Sequence, residues 1–315
     1  MNAIDIFKQL IGDRINPMVI KYDPYKDVFM THPYRHVLDD DFEKRFVDII
    51  FDSIVFYAYE KDEIEKDYNK GRFEDLRRAS RVAYENRVPK TEKETDGLLG
   101  ELTLDSFIKL FFPNVEMLYS RAKYTERIPH KEEAVQRKGH EIKGYDGMVF
   151  SVENGQKYFW VGQVKTGDWQ YCLDKIKDDI NKSIIKYYFA DALVILCDIM
   201  RAINSSSKDL IKIIDDINDI IYACSSKRAE QTAEILQYFK RENIRIRIPC
   251  LLMPNESDYE DSDKLLEKIK TKVKNAFSVF SVENNDDLDI EILLLVFPLR
   301  NLEKVRKLFL EVREV

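Results

Sequence analysis

No run among the 315 residues is long and apolar enough to cross a bilayer, and no phosphate loop of the G-x-x-x-x-G-K-[ST] kind occurs. The first absence makes a cytoplasmic protein without membrane contact the expectation. The second argues against nucleotide hydrolysis and leaves the chain without a motor motif of its own. Cysteine is scarce: Cys172, Cys197, Cys224 and Cys250 are far apart and form no C-x-x-C pair, so reduced core thiols are expected rather than zinc or a disulfide framework. Positive charge is not in excess either. A net charge of -7 excludes coating of nucleic acid by bulk electrostatics, so any such contact must be local. The opening stretch MNAIDIFKQLIGDRINP is amphipathic and lacks the continuous apolar segment of a secretion signal.

What is present is a long alternation of elements. Residues 1–70 combine aromatic stretches (KYDPYKDVFMTHPYRHV) with a helix over DDFEKRFVDIIFDSIVFYAYE, in which Phe42, Phe46, Ile49, Ile50 and Ile54 recur at helical spacing. The charged stretch EKDEIEKDYNKGR marks the expected end of this accessory region, which is the candidate partner-binding surface. A larger α/β unit, 71–315, follows. It opens on a helix over FEDLRRASRVAYENR. From Asp96 the expected order is helix (GLLGELTLDSFIKLFFP), strand (EMLYSRAKYTE), basic loop, strand (YDGMVFSVE), strand (KYFWVGQVKTG) and helix (WQYCLDKIKDDINKSIIKYY). Asn154-Gly155 between the last two strands signals a tight hairpin, because both residues tolerate positive φ. ALVILCDIM is ambiguous between helix and strand. Helices and strands then alternate through IRIRIPCLLMP and DIEILLLVFP, as in an α/β sheet extended at its C-terminal side.

Polar groups interrupt the two hairpin strands. Side chains alternate across a strand, so Gln163 and Lys165 share a face, and Asp146 on the neighbouring strand points to the same side. Burying a lone carboxylate is costly, and a divalent cation offsets it. Asp146, the Gln163 amide oxygen and the Val164 main-chain carbonyl form a hard-oxygen partial shell suited to Mg²⁺. Lys165 beside it would orient or activate a water, or stabilise charge on a phosphorane-like transition state. Glu101 falls on the apolar row of its helix with Leu98, Ile108 and Phe112, where it needs a partner: the metal, directly or through water, or Lys165.

A helix glutamate, a strand aspartate, then a strand carrying (D/E/Q)-x-K before a helix resembles the PD-(D/E)XK nuclease superfamily. Together with LRRASRVAYEN, KGYDGMVF and YFWVGQVKTGDW, it is similar to the HamA nuclease subunits of Hachiman anti-phage systems over roughly residues 70 to 190. The resemblance implies a nuclease-like core of α-β-β-β-α-β order (96–190) in a mixed sheet flanked by helices, within a nuclease domain spanning 71–315. It implies a metal-dependent deoxyribonuclease using Mg²⁺ (or Mn²⁺) that acts on DNA and is regulated by a superfamily 2 helicase subunit of the HamB kind. Glu101, Asp146 and Lys165 match the family's helix glutamate, strand aspartate and catalytic lysine. Gln163 departs from the usual glutamate, which leaves open a catalytically inactive nuclease fold that binds DNA or regulates the helicase.

Other signals have plainer readings. Arg121, Lys123, Arg127, Lys138 and Lys143 form a basic loop that is either a DNA contact or a solvated segment. Asp168 opens a helix and is an expected N-cap. His32 and His36 lack the glutamate of a zinc-binding helix, and the proline between them disfavours one.

Overall fold

The computed structural model describes residues 1–88, 97–112, 115–119, 146–185, 208–224, 228–259, 262–281 and 288–314. Eight strands among them form one sheet: β1 (Val19–Lys21), β2 (Tyr25–Lys26), β3 (Met30–His36), β4 (Val115–Tyr119), β5 (Gly147–Glu153), β6 (Gln156–Gly167), β7 (Ile244–Pro254) and β8 (Ile290–Val296). Their order is β1-β3-β8-β7-β6-β5-β4, with β2 paired to β3. Strands β3, β8, β7 and β6 run parallel, whereas β5 and β4 close one edge and β1 the other in antiparallel fashion.

Helices cover both faces, which is why β7 and β8 read as nearly continuous apolar runs. One layer holds α1 (Ala3–Phe7), a π-helical turn, α2 (Asp13–Ile15), α3 (Phe42–Asp52), α4 (Ile54–Ala58), α5 (Lys61–Asn69), α6 (Leu76–Arg87), α7 (Gly97–Phe111) and, later in the chain, α12 (Leu302–Glu314). They pack on Trp160, Leu251, Met253, Leu293 and Leu295. The other layer holds α8 (Trp169–Ile185), α9 (Lys208–Ala223), α10 (Arg228–Arg241) and α11 (Ser262–Phe277), packed on Phe159, Val161, Ile246, Cys250, Leu252 and Leu294. The strict alternation of these sets along β6, β7 and β8 is the period of two expected of a sheet buried on both sides.

Three local features depart from the sequence reading. The long helix expected over residues 40–60 is broken at Ser53, whose hydroxyl donates to the Ile50 carbonyl at 2.7 Å; such back-bonding competes with the helical ladder. The charged stretch expected to be a boundary is helix α5, started by a capping box between Glu60 and Glu63 and tied by Glu65 to the Ala3 amide. β3 carries residues 30–36 into the main sheet beside β8. The hairpin turn forms as read, with Asn154 and Gly155 at φ 51° and 81°. His36 is a core residue: its ring stacks between Phe42 and Tyr259 at 3.9 and 4.0 Å, with Nδ1 on the Val37 carbonyl.

The approach of α7 to β6 positions the site. A Cβ on Gly100 would stand 2.6 Å from Val164 Cγ1, and one on Gly162 would stand 2.7 Å from Leu104 Cδ2. Both glycines let helix and strand nearly touch, directly beside Glu101 and Gln163. Gly100→Ala gains helix propensity of about 1 kcal/mol, but overlap with a stiff β-branched side chain costs about 1–3 kcal/mol. A net loss of roughly 1 kcal/mol in denaturant unfolding is expected, and a gain in stability would contradict the close packing.

Candidate active site

Asp146 stands one residue before the β5–β6 ladder, whose first rung is Gly147 opposite Gly162. Its amide donates to the Gly162 carbonyl at 2.9 Å, and its Oδ2 accepts from the Val164 amide at 2.6 Å. The carboxylate thus occupies the place where a further strand residue would offer a carbonyl. Phe150, Phe159 and Val161 belong to the α8 layer, so alternation puts Asp146, Gln163 and Lys165 on that side of the sheet.

Glu101 approaches from α7. It is buried, with 3% of its surface exposed, and its Oε2 accepts from the Tyr57 hydroxyl of α4 at 2.7 Å. Its charge still reaches Asp146. Burial first and the Glu101 carboxylate second, against the counter-effects of Lys165 and the Val164 amide, push the Asp146 carboxyl up to about 7. A buried acid and a half-buried one at one strand end repel each other, which is the condition a bound cation relieves.

Lys165 is half-buried, and its Nζ lies 2.6 Å from a carboxylate oxygen of Asp179 on α8. Burial alone would lower the lysine pKa, but the hydrogen bond and charge of Asp179, aided by Asp146, outweigh it and raise it. The side chain is therefore held as an ammonium, which makes it an orienting donor and charge stabiliser rather than a base. Its ion pair is with Asp179, not with Glu101 as one sequence alternative had it. Along the sequence Asp179 is one acidic residue among several on an amphipathic helix, and only its place beside Ile176 and Ile180, at the margin of the apolar stripe of α8, sets it apart.

Asp146, Val164 and Lys165 line a pocket of about 640 Å³, together with Gly97, Thr166, Gly167, Asp168, Tyr171, Asn255, Leu302, Glu303 and Arg306. Glu101 and Gln163 are buried and lie outside its lining. Asp168 caps α8 by accepting from the Tyr171 amide at 2.7 Å. The basic residues Arg121, Lys123, Arg127, Lys138 and Lys143 lie outside the described residues. Among the described residues no cluster of three or more His, Cys, Asp or Glu side chains is placed to hold a metal. Asp146 and Gln163 offer hard oxygens on the α8 side of the sheet, Glu101 approaches the same strand end from the α7 layer, and repulsion between the two carboxylates is of the kind a divalent cation relieves.

A pH effect follows. In the folded, metal-free protein the Asp146 pKa lies well above its unfolded value of about 3.9, so the folded state binds the extra proton between those limits. Its stabilising contribution is full below the unfolded pKa and is lost as pH rises through about 7. In chelator, the melting temperature should fall more steeply from about pH 5 to about pH 8 for the wild type than for Asp146→Asn. Parallel profiles would remove the repulsion between Glu101 and Asp146.

Fold and site together define a mixed α/β protein with an acidic pair and an ion-paired lysine at the open end of a central strand. The chain belongs to the HamA family, whose model matches residues 19–312. HamA is a family of Hachiman anti-phage defence. No curated protein and no solved structure matches the chain. No described helix is long and apolar enough to cross a membrane.

Proposed function

We propose that this protein is the metal-dependent DNA endonuclease of a Hachiman-type defence complex, with a PD-(D/E)XK-like core, Mg²⁺ (or Mn²⁺) as cofactor and a superfamily 2 helicase as its regulating partner. The observation that carries this reading is that Asp146, fixed on the Val164 amide, and Lys165, paired with Asp179, line one pocket at a strand end that the buried Glu101 also approaches. Asp146, with the Gln163 amide oxygen, the Val164 carbonyl and Glu101 directly or through water, would hold the cation. When bound, such an ion acidifies a water and neutralises charge on a phosphodiester. The chain's own part is to position. Tyr57 fixes the Glu101 carboxylate, the Val164 amide fixes Asp146, and Asp179 keeps the Lys165 ammonium charged and aimed beside the pocket. That ammonium donates to the attacking water or to a phosphoryl oxygen, where negative charge builds in the transition state.

Gln163 supports a second reading, a lapsed nuclease fold that binds DNA or governs the helicase, since a neutral amide stands where a third carboxylate would strengthen the metal site. Purified protein incubated with plasmid and Mg²⁺, alone and with the helicase and ATP, separates them. Loss of plasmid that stops in chelator is expected. Intact plasmid under every condition would overturn the nuclease reading.

A further inference from the structure

We propose that the pocket receives an unpaired nucleotide, with the Tyr171 ring stacked on its base and the Arg306 guanidinium on a phosphate. The inference rests on the nuclease reading of the same site and specifies its substrate as DNA with unstacked, single-stranded character.

Tyr171 lies in the first turn of α8 and lines the pocket beside Lys165, yet 48% of its surface is exposed. Its ring rests on Gly167: a Cβ there would stand 2.8 Å from Cδ1 and 3.5 Å from Cγ and Cε1. Glycine at the end of β6 therefore lets the Cγ–Cδ1–Cε1 edge of the ring close on the backbone, while about half of the side chain's surface stays exposed. The Asp168 cap on the Tyr171 amide fixes the turn that presents it. An exposed, backed aromatic ring at a phosphate-chemistry site is a stacking platform, and every base offers a face to it.

Arg306 reaches the same pocket from α12. Its Nη2 donates to the Thr166 carbonyl at 3.3 Å and to the Thr166 hydroxyl at 3.1 Å, which anchors the guanidinium one residue past Lys165. Nη1 meets Glu303 at 2.6 Å, a carboxylate whose side chain is 79% exposed. The Arg306 side chain is only 20% exposed, so the pair opens to solvent on its glutamate side, where a phosphate oxygen can take the same donor. Glu303 thus holds the place a phosphate takes.

The pocket volume of about 640 Å³ falls within the roughly 300–1,000 Å³ of small-ligand sites. Bases within a duplex are stacked on both faces, so a ring can stack on one only where the strand is open or splayed. Lys165, Tyr171 and Arg306 share one pocket wall system, so phosphate chemistry and base stacking fall on neighbouring parts of one strand.

The test uses the full chain carrying Lys165→Ala, so that binding is read without cleavage, and a fluorescent oligonucleotide as a single strand and as its blunt duplex. Single-stranded affinity should exceed duplex affinity by about tenfold or more. Tyr171→Ala should weaken it by roughly 5- to 150-fold, while Tyr171→Phe stays within about twofold. Arg306→Gln should lower the salt slope by about one, and Glu303→Gln should tighten binding. Equal affinity for both strand forms, no binding of either, or a Tyr171→Ala variant that binds like its parent overturns the proposal. Cleavage by the Lys165-containing chain is scored separately. Cleavage without dependence on Tyr171 sinks this inference alone, and Tyr171-dependent binding without cleavage sinks the nuclease reading alone.

Discussion

Lys165→Ala is expected to reduce DNA cleavage by roughly 10²- to 10³-fold, the usual cost of removing one preorganised donor to developing negative charge. The ammonium is well suited to that role because Asp179 at 2.6 Å and Asp146 hold it charged against the effect of burial. Asp179→Asn keeps the donor but loosens its aim and lets its pKa fall. A smaller loss is expected, about tenfold, with the rate declining at lower alkaline pH than in the wild type, because the raised pKa has been lost. Removing Lys165 also strands Asp179, so the double variant Lys165→Ala/Asp179→Asn should recover stability without recovering cleavage. If Lys165→Ala protects cells from phage as well as the wild type does, binding and not cleavage carries the function.

The largest expected effect on stability lies away from the site. The Asp52 side chain is 5% exposed and joins three helices: its Oδ2 pairs with Arg14 of α2 at 2.8 Å and its Oδ1 with Arg77 of α6, from its own position at the end of α3. Arg77 also donates to the Asp48 carbonyl and carboxylate at 3.0 and 2.9 Å, and its guanidinium lies over the Phe51 ring. Asp52→Ala leaves a partly buried guanidinium without its main counter-charge, a change that costs about 3–5 kcal/mol. Arg14, 40% exposed, can turn to solvent, so the lower end of that range is expected. In a chain of this length that is a fall of roughly 4–6 °C in melting temperature. A change within about 0.5 kcal/mol in denaturant unfolding would show that the triad contributes nothing net.

Much of the site could be read along the chain because its signals are local. Asn154-Gly155 sets the hairpin, the hairpin sets register, and alternation then brings Gln163 and Lys165 to the face of Asp146. Glu101 was conspicuous as a charge on an apolar helical row. Its partner was not, since Tyr57 lies on a separate helix and meets Glu101 only when α4 and α7 dock. Asp179 and Arg306 carry no sequence signal for the same reason: each reaches β6 by helix packing, and acidic and basic residues on amphipathic helices ordinarily face water. The pairing of β3 with β8 joins residues more than two hundred positions apart, and parallel pairing over such a span leaves no short-range pattern. The helical character of residues 61–69 was masked by charge density, although Glu60 and Glu63 are the capping box that begins it.

The identity of Asp146 as the centre of a cation site is tested most directly by thermal unfolding of the full chain during a Mn²⁺ titration near neutral pH, for the wild type and for Asp146→Asn. The wild type should be stabilised progressively, by about 2.7 kcal/mol at a hundredfold excess over Kd, and the variant should not respond. An unresponsive wild type at millimolar Mn²⁺, or an equal response from Asp146→Asn, would contradict a metal centre built on this carboxylate.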